Sequence, residues 1–195
     1  YDRIMSRLRF PVFVKPANLG SSVGVSKVKT AAGLEEALLA AFAYDHKVVV
    51  EQGVENAREI ESSVLGNEEP EVAPVLGEIV PANEIYDYEA KYLNDRSELI
   101  IPAPVTAEQA ETIRRYALAA YKAVDCAGMA RVDFFLTRDG EVIVNEINTI
   151  PGFTRISMYP KLWEASGLPY RQLVDRLISL ALSRHAQRRK LRTSL

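Results

Sequence analysis

Two short runs rich in β-branched and aromatic residues, Arg131 to Leu136 and Val142 to Asn148, flank the segment Thr137-Arg138-Asp139-Gly140-Glu141. An Asp-Gly dipeptide between two such runs is the strongest short-range signal for a β-hairpin. With Asp139-Gly140 as a two-residue loop, Asp133 pairs with Glu146 and Arg131 with Asn148. Side chains alternate along a strand, so these four polar groups share one face. Phe135, Val144 and Val142 are expected to continue that face towards the turn.

Two carboxylates directly across a ladder lie roughly 5 Å apart, and at an effective dielectric near 20 they repel by about 3 kcal/mol. A hard divalent cation held by carboxylate and amide oxygens offsets this, and Mg²⁺ commonly takes one or two protein carboxylates with phosphate oxygens and water. The polar end of the hairpin therefore reads as a metal site. The alternative is a solvated strand end neutralised by Arg131, and a slip of one residue in register would part Asp133 from Glu146 altogether.

The 195 residues suffice for one large core or two modest subdomains. Apolar residues make up 48% and charged ones 26%, which excludes a disordered chain. A net charge of −2 gives no electrostatic case for a nucleic-acid partner. One cysteine, Cys126, excludes an internal disulfide and fits a reducing compartment; its place between a helix and a strand reads as a small buried thiol. No apolar run reaches the roughly 20 residues of a membrane span and the start lacks a signal-peptide pattern, so the expected location is cytoplasmic with no membrane partner. With only His46 and His185, a histidine zinc site or a Ser-His-Asp triad has little support. Chemistry must run on Lys, Arg, Asp, Glu and backbone dipoles.

Along the chain, Tyr1 to Arg9 opens without a start methionine, which suggests a piece of a longer protein. Strands are expected over Val12 to Lys15, Val25 to Val28 and Lys47 to Glu51. Between the last two, a helix over Ala31 to Tyr44 is capped by Thr30 and buries Leu34, Ala37, Leu38, Ala41 and Phe42. Together these make one small α+β unit. Strand composition returns at Glu59 to Leu65 and, broken by Pro74 and Gly77, at Glu71 to Val80. Asn83 to Glu98 reads as a long ordered loop, a length usually functional or disordered. Thr106 with Gln109 forms a capping box for a helix burying Ala110, Ile113, Ala117, Tyr121 and Val124. After the hairpin come a Pro-Gly segment, a short helix over Leu162 to Ala165, and a last helix from Tyr170 with Leu173, Val174, Leu177, Ile178 and Ala181 on its core face. The tail from Arg184 carries five Arg or Lys and no acid, as suits a solvated helix C-terminus.

Three loops carry further chemistry. Lys15 ends a strand and precedes Gly20-Ser21-Ser22-Val23-Gly24, whose small residues allow backbone amides and hydroxyls to wrap phosphate oxygens. This is not a Walker loop, where the lysine follows the last glycine, and by itself it is equally a flexible turn. Tyr86 to Tyr92 holds three further tyrosines and acids beside Lys91, either a polar surface loop or a cover that excludes water. Asn148 to Ser157 includes Pro151-Gly152, a plain turn or a source of a backbone N–H for an oxyanion, with Arg131 supplying charge.

In this order, Lys15 with its Gly-Ser-Ser-Val-Gly loop, Tyr88-Glu89-Ala90-Lys91-Tyr92, Ala130-Arg131-Val132-Asp133, Asn145 to Thr154, Ser157-Met158-Tyr159-Pro160 and Lys161 to Gly167 resemble D-alanine–D-alanine ligases of the ATP-grasp superfamily over nearly the whole chain. The resemblance implies an α+β ATP-grasp fold, two subdomains with mainly antiparallel sheets and ATP sandwiched between them. Residues 1–54 would form part of the small subdomain, and 55–195 the C-terminal one with the metal site and a substrate loop at 85–98. It implies Lys15 on the α/β-phosphates, Ser21, Ser22 and Val23 over the phosphates, Glu51, Gln52 and Val54 at the adenine, Glu59 on the ribose and Lys91 on the terminal phosphates. Tyr92 would pack with Ser21 over the site. Asp133, Glu146 and Asn148 match ligands of two Mg²⁺ ions, with Mn²⁺ as an alternative. Arg131 and the Gly152 amide match oxyanion stabilisers, and Ser157 matches a group on the carboxylate of the second D-alanine. The activity implied is ADP-forming ligation of two D-alanines through an acyl phosphate for peptidoglycan precursors, by a homodimer in the full-length enzyme.

Family members also have an N-terminal domain that helps bind the first D-alanine, and a second phosphate-binding lysine upstream; neither is visible here. The 195-residue chain alone is therefore expected to bind ATP weakly at best and not to turn over. The rival readings are a D-alanine–D-lactate ligase, another ATP-grasp carboxylate–amine ligase, and a noncatalytic nucleotide-binding module. Retention of Asp133, Glu146 and Asn148 speaks against the last.

Overall fold

The computed structural model describes residues 2–20, 22–80 and 98–191. The described residues up to Asn56 form one compact unit, and Ala57–Val80 with those from Leu99 onward form a second. Both are α+β with antiparallel strand pairs, the expected class.

In the first unit, β1 (Val12–Pro16) is the middle of a three-stranded sheet between β2 (Ser26–Val28) and β3 (Val48–Gln52). Helix α1 (Asp2–Met5) precedes them and α2 (Leu34–Phe42) lies between β2 and β3. Val12 and Val14 alternate inward on β1 and meet Val28 and the α2 residues Leu34, Ala37 and Ala41. The helix differs from expectation at both ends. Thr30 makes no side-chain cap; Ala31–Gly33 form a 3₁₀ turn, and the α-helix begins only after Gly33, a residue that holds helical conformation poorly. Phe42, about 100° from the centre of the buried stripe at 3.6 residues per turn, is exposed rather than buried.

In the second unit the sheet order is β7-β6-β4-β8-β9, from β4 (Arg58–Gly66), β6 (Gly77–Val80), β7 (Glu98–Ile100), β8 (Gly128–Leu136) and β9 (Val142–Asn148), with the short β5 (Glu71–Val72) also pairing β4. Helix α3 (Ala107–Ala123) covers one face. Its Ile113, Ala117 and Tyr121 pack with Ile60 and Val64 of β4 and with Ala130, Val132, Phe134 and Leu136 of β8. The Tyr121 hydroxyl donates to the Gly66 carbonyl at 2.7 Å, and burial pushes the phenol well above its usual range. Val124 is exposed, because the helix ends one residue earlier and leaves it at the C-cap. Cys126 packs against this core, and burial raises its thiol pKa as expected for an unreactive cysteine.

The capping box is present. Thr106 Oγ1 accepts from the Gln109 N–H at 3.2 Å and Gln109 Oε1 accepts from the Thr106 N–H at 3.0 Å. Thr106→Ala is expected to cost about 1 kcal/mol, read in thermal melts as a loss of roughly 2–4 °C in Tm.

Helix α4 (Met158–Ala165) lies on the other sheet face. Ser63 Oγ donates to the Tyr159 carbonyl at 3.3 Å, and the Tyr159 hydroxyl donates to the Val64 carbonyl at 3.0 Å. This helix starts four residues before the expected Leu162. Helix α5 (Tyr170–Arg188) follows. Only Leu173 of its expected stripe is buried; Ile178 and Ala181 are exposed. The helix is tied instead by polar contacts: Asn67 Nδ2 donates to the Leu180 carbonyl at 3.0 Å, Gln187 Nε2 donates to Glu68 Oε1 at 3.0 Å, and Arg176 pairs with Glu71. No helix among the described residues is long and apolar enough to cross a membrane. The expected loop from Asn83 lies outside the described residues except for Glu98, which opens β7.

Candidate functional site

The β8–β9 hairpin brings the expected residues together by a different route from the one expected. Its loop has three residues, not two. The Thr137 N–H donates to the Glu141 carbonyl at 3.0 Å, the Gly140 N–H donates to the Thr137 carbonyl at 3.0 Å, and Gly140 takes a φ of +84° that suits glycine. Leu136, Phe135 and Phe134 therefore pair with Val142, Ile143 and Val144. A β-bulge then intervenes: the register shifts between Phe134 and Asp133, so that Asn145 is the extra residue and Asp133 faces Glu146 and Arg131 faces Asn148. The odd loop and the bulge cancel at the polar end. Nearer the turn they do not, so Val142 and Val144 lie opposite the core-facing Leu136 and Phe134, and it is Ile143 that joins Phe135 on the acidic face.

Strand β4 adds a residue that sequence reasoning missed. Glu61 pairs with Asp133, and Ser63 with Arg131, so three carboxylates from β4, β8 and β9 stand in one row. Glu61 is buried, at 4% exposure. The Arg131 guanidinium makes a two-pronged contact with Asp133, Nε to Oδ1 and Nη2 to Oδ2, each at 2.7 Å, and its Nε also stands 3.1 Å from Glu61 Oε2. Burial works against the Arg131 charge, but hydrogen bonding to Asp133 and the charges of Glu61, Asp133 and Glu146 outweigh it and hold its pKa above the usual range. The one signal for Glu61 was its spacing of two from Glu59, which puts both on one strand face. Their partner strand is about seventy positions away in sequence, beyond any local pattern.

Asn148 Nδ2 donates to Asp133 Oδ2 at 3.0 Å and to Glu146 Oε1 at 3.2 Å. Both acids thus converge on the Asn148 amide, which also carries an oxygen able to ligate a cation. Mg²⁺ takes carboxylate and amide oxygens into its shell. The donor set of Asp133, Glu146 and Asn148 therefore fits a hard divalent cation. It does so with two acids and an amide, since no group of three His, Cys, Asp or Glu arranged for a metal occurs among the described residues.

Gly152 and Ser157 also meet. A Cβ on Gly152 would stand 2.9 Å from Ser157 Oγ, so the close approach requires glycine. That oxygen accepts from the Thr154 N–H at 3.0 Å and shares a hydrogen bond with Thr154 Oγ1. Glu59 lies on β4 between Phe135 and Ile79, on the face of Glu61 and Asp133. In the first unit, Lys15 Nζ pairs with Glu51 Oε1 at 2.6 Å. Gln52 ties down the chain ahead of β1, accepting from the Arg9 N–H and donating to the Arg9 carbonyl, each at 2.7 Å. Ser22 has a φ of +60°, Val23 donates its N–H to the Gly20 carbonyl at 3.2 Å, and Val54 follows β3 half-buried. Ser21, Lys91 and Tyr92 lie outside the described residues.

Residues 1–179 match the family described as D-ala D-ala ligase C-terminus. The chain belongs to the D-alanine–D-alanine ligase C-terminal family. It is 57% identical over 188 residues to the D-alanine–D-alanine ligase of Geobacillus thermodenitrificans, a match covering 96% of this chain and 51% of that protein. It is 55% identical over 196 residues to D-alanine–D-alanine ligase A of Salmonella typhimurium, covering 100% of this chain and 53% of that one. Among solved structures, the D-alanine-D-alanine ligase from Coxiella burnetii superposes with a TM-score of 0.82 at 43% identity, over 97% of this chain and 49% of that chain. The VanG D-Ala:D-Ser ligase from Enterococcus faecalis gives 0.80 at 39% identity, over 92% and 52%. The ligase resemblance and the ATP-grasp fold expected from the motifs are thereby borne out. The chain spans about half the length of the curated ligases it matches.

Proposed function

We propose that this chain is the nucleotide- and metal-binding part of an ADP-forming D-alanine–D-alanine ligase. The observation that carries the reading is the convergence of Asp133, Glu146 and Asn148 beside a half-buried Arg131 in a member of this family. ATP is the phosphoryl donor. Mg²⁺ held by Asp133, Glu146 and Asn148 supplies charge neutralisation at the phosphates.

The carboxylate of the first D-alanine attacks the γ-phosphorus and ADP leaves, giving an acyl phosphate. The amine of the second D-alanine then attacks the acyl carbon, and phosphate departs. Arg131 stands among carboxylates, with Asp133 and Glu61 both at its Nε, so its positive charge is already in place when the oxyanion forms. The Gly152 amide is its partner in this role, and Ser157 orients the carboxylate of the second D-alanine. Lys15, Ser22 and Val23 hold phosphates; Glu51, Gln52 and Val54 hold the adenine, and Glu59 the ribose. Ser21, Lys91 and Tyr92 complete the phosphate cover. The product serves peptidoglycan synthesis in the cytoplasm, and the full-length enzyme acts as a homodimer.

Likeness to a D-Ala:D-Ser ligase keeps D-serine as a second acceptor to be tested. The test is coupled ADP release by the full-length protein, with D-alanine as first substrate and D-alanine, D-serine, D-lactate or L-alanine as second. Release driven by D-alanine alone is expected, and none with L-alanine alone. No D-alanine-dependent release overturns the reading.

A further inference from the structure

Glu61 is the carboxylate of the cluster for which the ligase reading has no role. On β4 it stands between Asp133 of β8 and Gly77 of β6. Gly77 leaves room for α4: a Cβ there would stand 2.4 Å from Met158 Sδ. The acid is therefore enclosed in the sheet beneath a helix, a place where a carboxylate needs a cation to meet it. Arg131 is such a cation.

Two acids stand close to the Arg131 Nε, whose N–H is directed to Asp133, while Glu61 Oε2 lies within reach without accepting it. The distances from Nε are 2.7 Å to Asp133 Oδ1 and 3.1 Å to Glu61 Oε2. Asp133 is heavily used: both its oxygens accept from Arg131, and Oδ2 also accepts from Asn148. An aspartate that turns an oxygen to a divalent cation has less to offer the guanidinium. The charges agree, since one guanidinium faces three carboxylates and the two negative charges in excess are those a divalent cation neutralises.

We propose that Glu61 is a positioning residue for Arg131, the carboxylate to which the Nε–H passes when Asp133 engages the cation, so that the guanidinium stays aimed while its first partner is in use. This rests on the ligase reading of Arg131 and Asp133.

In the full-length protein, Glu61→Gln keeps the side-chain volume and removes the charge. The expected result is a fall in kcat of about 10- to 100-fold, the range for residues that orient a metal-site group. In an Arg131→Ala background the same change is expected to alter kcat by less than about twofold, because it acts through the missing group. Melts with Mg²⁺ and ADP are expected to show the same rise in Tm for Glu61→Gln as for the unaltered protein, the metal ligands being intact. Equal factors in the two backgrounds, or a fall in Tm without a fall in kcat, assign Glu61 a structural role and overturn the proposal. No rise in Tm of the unaltered protein with Mg²⁺ and ADP, or no D-alanine-dependent ADP release, removes the ligase reading itself and the proposal with it. Should Glu61→Gln not fold, Glu61→Asp retains the charge but withdraws it by one methylene. A kcat equal to that of the unaltered enzyme then overturns the proposal.

Discussion

Asp133→Asn in the full-length protein is expected to lower kcat/KM by about a thousandfold or more. Charge stabilisation at a metal-bound phosphoryl group is worth several kcal/mol, and about 4 kcal/mol corresponds to three decades of rate. Asp133 is the residue on which the cluster turns: it accepts from both Arg131 and Asn148 and lies in register with Glu61 on one side and Glu146 on the other. The fold is expected to survive. Removing one member of a buried ion pair typically costs about 3–5 kcal/mol when a charge is stranded, but here Arg131 keeps Glu61 at 3.1 Å. Steady-state kinetics beside a thermal melt separate the two effects. Near-normal turnover with a large loss of Tm would make the cluster an ion-pair brace and not a metal site.

Phe134→Ala is expected to be the most damaging change to stability. Phe134 is 1% exposed in the core under α3, and truncating such a ring costs about 3–5 kcal/mol, or roughly 6–20 °C in Tm at 2–4 °C per kcal/mol. Phe135→Ala, one position along and half-buried on the other face, is expected to cost less than half as much. Equal losses at the two positions would contradict the assignment of faces. Strand alternation is why core and site are one problem here: Val132, Phe134 and Leu136 point to α3 while Arg131 and Asp133 point away.

Local features were legible in the sequence where the physics is local. The Thr106–Gln109 box is made by residues three apart, and the hairpin was visible because its turn lies between its strands. The pairing of Asp133 with Glu146 was expected correctly, yet from a two-residue loop that does not form; Thr137 and Gly140 close a longer one, and Asn145 corrects the count. Helical stripes were legible only where the helix stays on the core. For α3 the spacing named Ile113, Ala117 and Tyr121 correctly, whereas α5 keeps only Leu173 inside and then follows the polar side chains of Asn67, Glu68 and Glu71. Glu61 was illegible because its meaning comes from pairing with a distant strand. The roles proposed for Lys15, Glu51 and Ser157 rest on motif resemblance, which carries information that spacing in one sequence does not hold.

The extra residue at Asn145 has a consequence for how such sequences can diverge. A ladder that kept Asn145 but flattened the bulge would pair Asp133 with Asn145 and turn Glu146 and Asn148 towards the hydrophobic interior, whereas removal of Asn145 would leave Glu146 opposite Asp133. A lineage can therefore shed Asn145 and keep the cluster, but it cannot keep that residue and lose the bulge.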